Sequence, residues 1–276
     1  MDNIKTAVLT VAGSDSGGGA GIQADLRTFS IFKVYGCSVI TAVTAQNPDE
    51  VRKVEVLTAE IIESQLECIL DAIPVKWAKT GMLANRETID CISRIAEKHR
   101  LNLVVDPVMV STSGSKLLED QAVGALKEKI FPQAKWITPN IPEAELICQC
   151  KLNGIDDFAA AAIKLYKEYN CNVILKSGHA VSSSQAVDII CHQGKLFTLS
   201  SPEVKLSGNT AHGTGCTLSA ALAANLATGN NWQDACIAAK EFVYGSLVEK
   251  AALTNTLWQM YPPQGNYHNE IILKEL

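Results

Sequence analysis

Two glycine-rich segments and a handful of polar residues that close apolar runs carry most of the chemistry open to this sequence. The first segment, Gly13-Ser14-Asp15-Ser16-Gly17-Gly18-Gly19-Ala20-Gly21, holds five glycines in nine positions. It follows an apolar run and opens a helical pattern. Glycine lets the backbone approach a ligand closely, and the start of a helix offers N–H groups with no partner of their own. The segment is not a Walker A loop, because no Lys-Ser or Lys-Thr pair follows. It also misses the G-x-G-x-x-G dinucleotide spacing, since Ile22 stands where the last glycine belongs and no acidic residue closes the next strand near Thr44. The plainer reading is a tight strand-to-helix turn, which needs fewer glycines than this.

The second segment, Gly213-Thr214-Gly215-Cys216, runs into a helix from Thr217 to Ala227. Successive N–H groups there would make a hole for a phosphate or a developing oxyanion. Cys216 falls in the first turn, where a thiol pKa is commonly lowered. Against this stands a glycine cap with a buried cysteine.

Asn140 and Glu143, in Thr138-Pro139-Asn140-Ile141-Pro142-Glu143, are three apart at a strand-to-helix corner. They could hold Mg²⁺ directly or through water, or simply cap the helix. Gln46, Lys79, Asp106 and Lys176 each close an apolar run, as four polar groups around one cleft would. Among the histidines, His99 suits a helix end and His192 a strand or turn, whereas His179 and His212 lie on glycine loops and could line a site. No His/Cys/Asp set has zinc-ligand spacing, and no G-x-S-x-G nucleophile elbow occurs.

Alternating strand and helix patterns must position these groups. Strands are expected at Ala7 to Ala12, Cys37 to Thr44, Val51 to Leu57, Trp77 to Thr80, Leu101 to Val105, Trp136 to Thr138 and Val173 to Lys176. Helices are expected from Gly21 through Phe32, from a Thr58 cap, and over Asn85 to Lys98, Glu119 to Ile130 and Asp156 to Tyr169. One more starts near Glu143, and two alanine-rich helices start at Cys216 and Trp232. Ala186 to Cys191 and Lys195 to Leu199 read as a hairpin around Gln193-Gly194. Repeated βα units predict a mostly parallel sheet with helices on both faces, and ligands outside the carboxyl ends of its strands. No repeat or low-complexity linker divides the chain, so residues 1–276 are expected to form a single domain. The tail from Gln259 is the least legible stretch.

Composition narrows the function classes. The 276 residues carry 24 basic and 29 acidic side chains, a formal net charge of −5, which argues against a broad nucleic-acid surface. No run of about 18 apolar residues suggests a membrane span, and Met1-Asp2-Asn3-Ile4-Lys5 lacks a signal-peptide pattern. Nine scattered cysteines without a C-x-x-C pair suggest reduced thiols and a cytoplasmic protein.

The blocks Ala12 to Leu26, Thr44-Ala45-Gln46-Asn47, Lys79-Thr80-Gly81-Met82-Leu83, Val105-Asp106-Pro107-Val108-Met109, Thr138 to Glu145 and His212-Gly213-Thr214-Gly215-Cys216-Thr217-Leu218-Ser219 occur in this order. Together they resemble the bacterial hydroxymethylpyrimidine and phosphomethylpyrimidine kinases of thiamine synthesis, in the ribokinase-like superfamily. The resemblance spans about Ala7 to Val248. It implies a three-layer α/β/α sandwich and phosphoryl transfer from ATP with Mg²⁺. Gly213, Gly215 and Cys216 would be catalytic, as anion hole and as the residue beside the accepting hydroxymethyl group. Gly13, Ala20, Asp25, Gln46, Met82 and Val108 would hold the pyrimidine, with Gln46 on its ring edge. Lys176, Thr214 and Asn140 would serve the nucleotide phosphates, and Asp106 and Glu143 the metal.

The sequence departs from the family pattern at an extra alanine in Asn209-Thr210-Ala211-His212-Gly213, at Ser111-Thr112-Ser113-Gly114, which lacks a lysine before Ser-Gly, and after Gly265. Partners beyond the small substrate and ATP reduce to a possible homodimer, with no nucleic acid and no membrane. The nearest alternative is a pyridoxal or pyridoxine kinase of the same superfamily; a remoter one is a non-catalytic metabolite-binding protein that kept the fold.

Overall fold

A computed structural model describes residues 5–47, 49–109, 119–178, 184–205, 212–254 and 258–276. The sequence features at Ser111 to Gly114, His179 and Asn209 to Ala211 lie outside these residues.

Ten strands form one sheet. The chain enters the sheet third from one edge with β1 (Ala7–Asp15), passes through α1 (Gly21–Ile31) to the parallel strand β2 (Tyr35–Gln46), and folds back antiparallel as the edge strand β3 (Val51–Val56). It then crosses through α2 (Ala59–Ala72) to the other side of β1. From there it steps outward through β4 (Trp77–Thr80), α3 (Arg86–His99), β5 (Asn102–Val105), α4 (Asp120–Ala125) and β6 (Ala134–Ile137). The helices α5 (Ile141–Cys148) and α6 (Ile155–Tyr169) lead to β7 (Asn172–Lys176), the last parallel strand. The hairpin β8 (Gln185–His192) and β9 (Lys195–Pro202) extends the sheet antiparallel. After α7 (Thr214–Ala227) and α8 (Trp232–Val248), the two-residue strands β10 (Ala251–Ala252) and β11 (Trp258–Gln259) pair with each other, and β12 (Ile272–Glu275) adds an edge beside β9. The order β12-β9-β8-β7-β6-β5-β4-β1-β2-β3 reverses direction at β1, where loops to either side part and leave a crevice.

Alternation along the buried strands divides the core. Leu9, Val11, Leu103, Val105, Val173 and Leu175 face one layer, with Ile62, Ile89, Ala144 and Phe158 from α2, α3, α5 and α6. Val8, Val104 and Ile174 face the other, with Phe29 of α1, Leu222 of α7 and Phe242 of α8. Two helical layers on one sheet is the expected three-layer sandwich.

Several boundaries differ from expectation. β1 continues to Asp15 because Ser14 and Asp15 pair with Val43 and Thr44 after a register shift. Gln46 is the last residue of β2 rather than a residue beyond it. The predicted helix Glu119 to Ile130 is α-helical over Asp120–Ala125, then widens to a π turn over Leu126–Ile130 and tightens to a 3₁₀ turn at Phe131–Gln133, which takes in Pro132. The tail acquires a strand because β9 offers it an open edge.

Candidate functional site

Two glycines bring the two glycine segments together. Gly21 has φ +59°, and a Cβ there would lie 2.4 Å from the Gly13 carbonyl oxygen. Gly213 has φ +85°, and its Cβ would lie 1.9 Å from the Gly19 carbonyl oxygen. Neither position accepts a side chain, so the loop after β1 and the start of α7 close against one another. The first N–H groups of α7, at Gly215 and Cys216, have no partner within the helix, as geometry requires of any helix start. Gly215 also lies close against a charged pair, since its Cβ would stand 3.0 Å from Lys176 Nζ and 3.5 Å from Asp106 Oδ2.

That pair is the electrostatic centre of the crevice. Lys176, at the end of β7, donates to Asp106 Oδ1 at 2.8 Å, and Asp106 follows β5 with 2% exposure. Ser219 on α7 reaches Asp106 Oδ2 at 3.4 Å. Burial works against the Lys176 charge, but Asp106 and Glu143 outweigh it and hold the ammonium protonated above its ordinary range.

Asn140 and Glu143 form a reciprocal cap on α5. Asn140 Oδ1 accepts the Glu143 N–H at 2.9 Å, and Glu143 Oε2 accepts the Asn140 N–H at 2.8 Å. Burial pushes the Glu143 carboxyl up to about 7, against the pull of Lys176 and with the push of Asp106. The capping that the spacing allowed is present, and it leaves Glu143 beside the charged pair.

A cavity of about 570 Å³ opens here, within the range of small-ligand sites. Gly13, Ala20, Gln46, Met82, Val108, Asp106, Asn140, Glu143, Lys176 and all of Gly213, Thr214, Gly215 and Cys216 line it. Residues distant in sequence thus meet at the carboxyl ends of the parallel strands.

Asp25 is a correction. It is fully buried and does not line the cavity; Lys79 Nζ donates to its Oδ2 at 2.9 Å and Thr10 Oγ1 at 2.5 Å. The family resemblance implied Asp25 among the residues that hold the pyrimidine, and its strand-end position put Lys79 at the cleft. Both instead point into the layer between α1 and the sheet, where neither charge would persist without the other. Cys216 also departs from expectation. Gly21 N–H points at its sulfur and Lys79 favours the thiolate, but burial dominates and pushes the thiol up to about 11.

Sequence reasoning missed three groups. Asp15 accepts the N–H groups of Gly17 and Ala20, each at 2.8 Å, and lies 3.1 Å from His212 Nε2. The buried pair Asp188 and Lys240, 2.8 Å apart, lines the far end of the cavity. Val204, Val243, Tyr244 and Leu247 complete an apolar wall there. A lone charge inside an apolar strand (Val187-Asp188-Ile189) or an alanine-rich helix (Ala239-Lys240) was the available signal.

Known proteins resemble this chain over most of its length. The profile of the phosphomethylpyrimidine kinase family matches residues 15–260. A hydroxymethylpyrimidine/phosphomethylpyrimidine kinase from Haemophilus influenzae is 44% identical over 253 residues, 90% of this chain and 92% of that protein. Among solved structures, phosphomethylpyrimidine kinase from Clostridium difficile shares 40% identity over 87% of this chain and 98% of its own, with a TM-score of 0.75. Pyridoxal kinase from Staphylococcus aureus, in complex with AMP-PCP and pyridoxal, superposes with a TM-score of 0.88 at 31% identity, covering 99% of this chain and 100% of that one.

Proposed function

Because the chain belongs to the phosphomethylpyrimidine kinase family, we propose that it transfers the γ-phosphoryl group of ATP to the hydroxymethyl arm of 4-amino-5-hydroxymethyl-2-methylpyrimidine, and then phosphorylates the monophosphate. Its fold is the ribokinase-like one that the sequence led us to expect. One observation supports the assignment of roles above all. A pocket walled by Gly13, Gln46, Met82 and Val108 adjoins Cys216 and the Lys176–Asp106 pair within one cavity.

In this reading the pyrimidine lies between Met82 and Val108 with its edge on Gln46. The nucleotide extends toward Asp188 and Lys240, its base against Val243, Tyr244 and Leu247, with its phosphates at Lys176, Asn140 and Thr214. In-line transfer needs positioning and charge stabilisation more than covalent help. The Gly215 and Cys216 N–H groups meet the charge of the transferring phosphoryl group, with Gly213 fixing the turn before them. Cys216 is a thiol at neutral pH and keeps its own proton, so its sulfur aligns the accepting hydroxyl, whose proton leaves late to an oxygen of the transferred phosphoryl group, as a loose transition state allows.

The donor set suits Mg²⁺. Asp106 and Glu143 offer hard carboxylate oxygens already engaged with Lys176 and with backbone N–H groups, which fits an ion that takes most ligands from water and phosphate. Among the described residues no three-ligand cage exists. When bound, the ion would neutralise phosphate charge. We read the whole chain as one kinase domain, since one sheet joins strands from both ends. We place it in the cytoplasm, a reducing compartment suited to its nine free thiols. None of the described helices is long and apolar enough to cross a membrane.

The likeness to pyridoxal kinases supports a second reading in which pyridoxal is the better substrate. Incubation with ATP, Mg²⁺ and each alcohol, with products identified by mass, decides between them. A higher kcat/KM for the hydroxymethylpyrimidine is expected, and the reverse order overturns the proposal.

A further inference from the structure

At the seam between the two glycine segments, three side chains meet through one nitrogen. His212 Nε2 lies 3.1 Å from Asp15 Oδ2 and 3.2 Å from Gln46 Nε2. All three line the cavity, with Asp15 and His212 only 3% and 7% exposed. The backbone around them is fixed. Ser16 Oγ accepts the Gln46 N–H at 2.8 Å and donates to the Gln46 carbonyl at 2.7 Å. The β2–β3 register shifts between Ala45 and Gln46, and Gln46 still pairs with Val51. A Cβ on Gly19 would stand 2.6 Å from the His212 ring, so the imidazole fills a slot that glycine leaves open.

Hydrogen-bond bookkeeping decides which way the Gln46 amide faces. Asp15 is ionised: burial opposes this, but His212 and the N–H groups of Ala20 and Gly17 hold its carboxyl below the usual range. An ionised carboxylate only accepts, so a stable contact requires the hydrogen on His212 Nε2. A protonated Nε2 has no in-plane lone pair for a Gln46 NH₂ group. The opposite tautomer would satisfy Gln46 but turn a bare nitrogen toward the carboxylate. A charge-assisted bond is roughly twice as strong as a neutral one, so Asp15 takes precedence. Amide oxygen and nitrogen are interchangeable by a half-turn of the side chain.

We propose that Asp15, through His212, fixes the Gln46 amide with its oxygen inward on His212 Nε2–H and its NH₂ group outward. The pocket then selects heterocycles that present an acceptor ring nitrogen at that edge and rejects those that present an N–H. Asp15 and His212 are positioning residues for specificity, acting on the ring through Gln46. The inference rests on the assignment of this pocket to a pyrimidine.

Two probes that lack the hydroxyl, and so cannot be phosphorylated, test it: 4-amino-2,5-dimethylpyrimidine, whose ring nitrogen beside the amino group accepts, and the corresponding 4-oxo ring, whose nitrogen carries a hydrogen. Calorimetry on the full chain should find the amino ring bound about 10- to 100-fold more tightly. Asp15→Asn can offer an NH₂ to His212 and release the Gln46 amide, and His212→Phe removes the controlling N–H. In each the ratio should fall at least about fivefold, with AMP-PCP affinity within about twofold of the parent. Two different variants keep the test open if one fails to fold. A wild-type ratio retained by the folded variants, or no preference in the parent, overturns the inference. If the parent binds neither ring, the pyrimidine assignment falls and takes this inference with it. If the parent phosphorylates the hydroxymethyl compound while the variants keep the ratio, only the orienting role falls.

Discussion

Cys216 shows how one residue's surroundings can reverse a local rule. A helix start favours a thiolate, yet burial leaves the thiol near 11. At pH 8 only about one molecule in a thousand would carry the thiolate. Iodoacetamide labelling of Cys216, followed by peptide mass, should therefore rise about tenfold per pH unit from 8 to 10 without a plateau. A plateau near pH 8 would show that the helix field prevails. Cys216→Ala should lower kcat at least about 10²-fold, the usual scale of a lost alignment in the reacting complex, with a smaller change in ATP binding. Near wild-type turnover would leave transfer to the backbone N–H groups alone. Gln46→Ala should weaken pyrimidine use by about 1–3 kcal/mol, as a lost buried polar contact does, without a matching loss for ATP. Equal losses would give Gln46 a structural role only.

The two ends of α7 separate backbone strain from site geometry. Gly213 before the helix and Gly229 after it have φ +85° and +90°. An alanine at either position costs about 1–2 kcal/mol for the left-handed backbone. At Gly229 nothing lies within 4 Å of the new Cβ, whereas at Gly213 it meets the Gly19 carbonyl. Gly229→Ala should thus lower Tm by a few degrees and leave kcat unchanged. Gly213→Ala should lower both, because the helix start must retreat from the loop after β1. Equal kcat in the two variants would mean that this close approach does not set the site.

On the scale of the whole molecule, two buried ion pairs tie the layers to the sheet: Lys79 with Asp25 of α1, and Asp188 with Lys240 of α8. Burial opposes the Lys79 charge, yet Asp25 and its neighbours hold the ammonium protonated. Lys79→Met leaves Asp25 without its counter-charge and should cost about 3–5 kcal/mol in urea unfolding. Adding Asp25→Asn should return much of that loss, since the second change removes the stranded charge. A double variant as unstable as the single one would assign the loss to packing of the lysine stem.

The order of strands and helices, the layering and the blocks that line the cleft were legible in the sequence. They rest on local rules: period, capping, glycine at left-handed positions, and polar residues at strand ends. Asp25 and Lys79 were legible as important but not as a pair. Nothing in their spacing shows that a residue on α1 and one on β4 face each other across a dry layer. The same holds for Asp15, His212 and Gln46, whose shared nitrogen exists only once the two glycine segments close. Sequence determined which residues could ionise or donate. Tertiary structure decided which of them meet, because burial and opposing charge depend on distances that only the closed fold establishes.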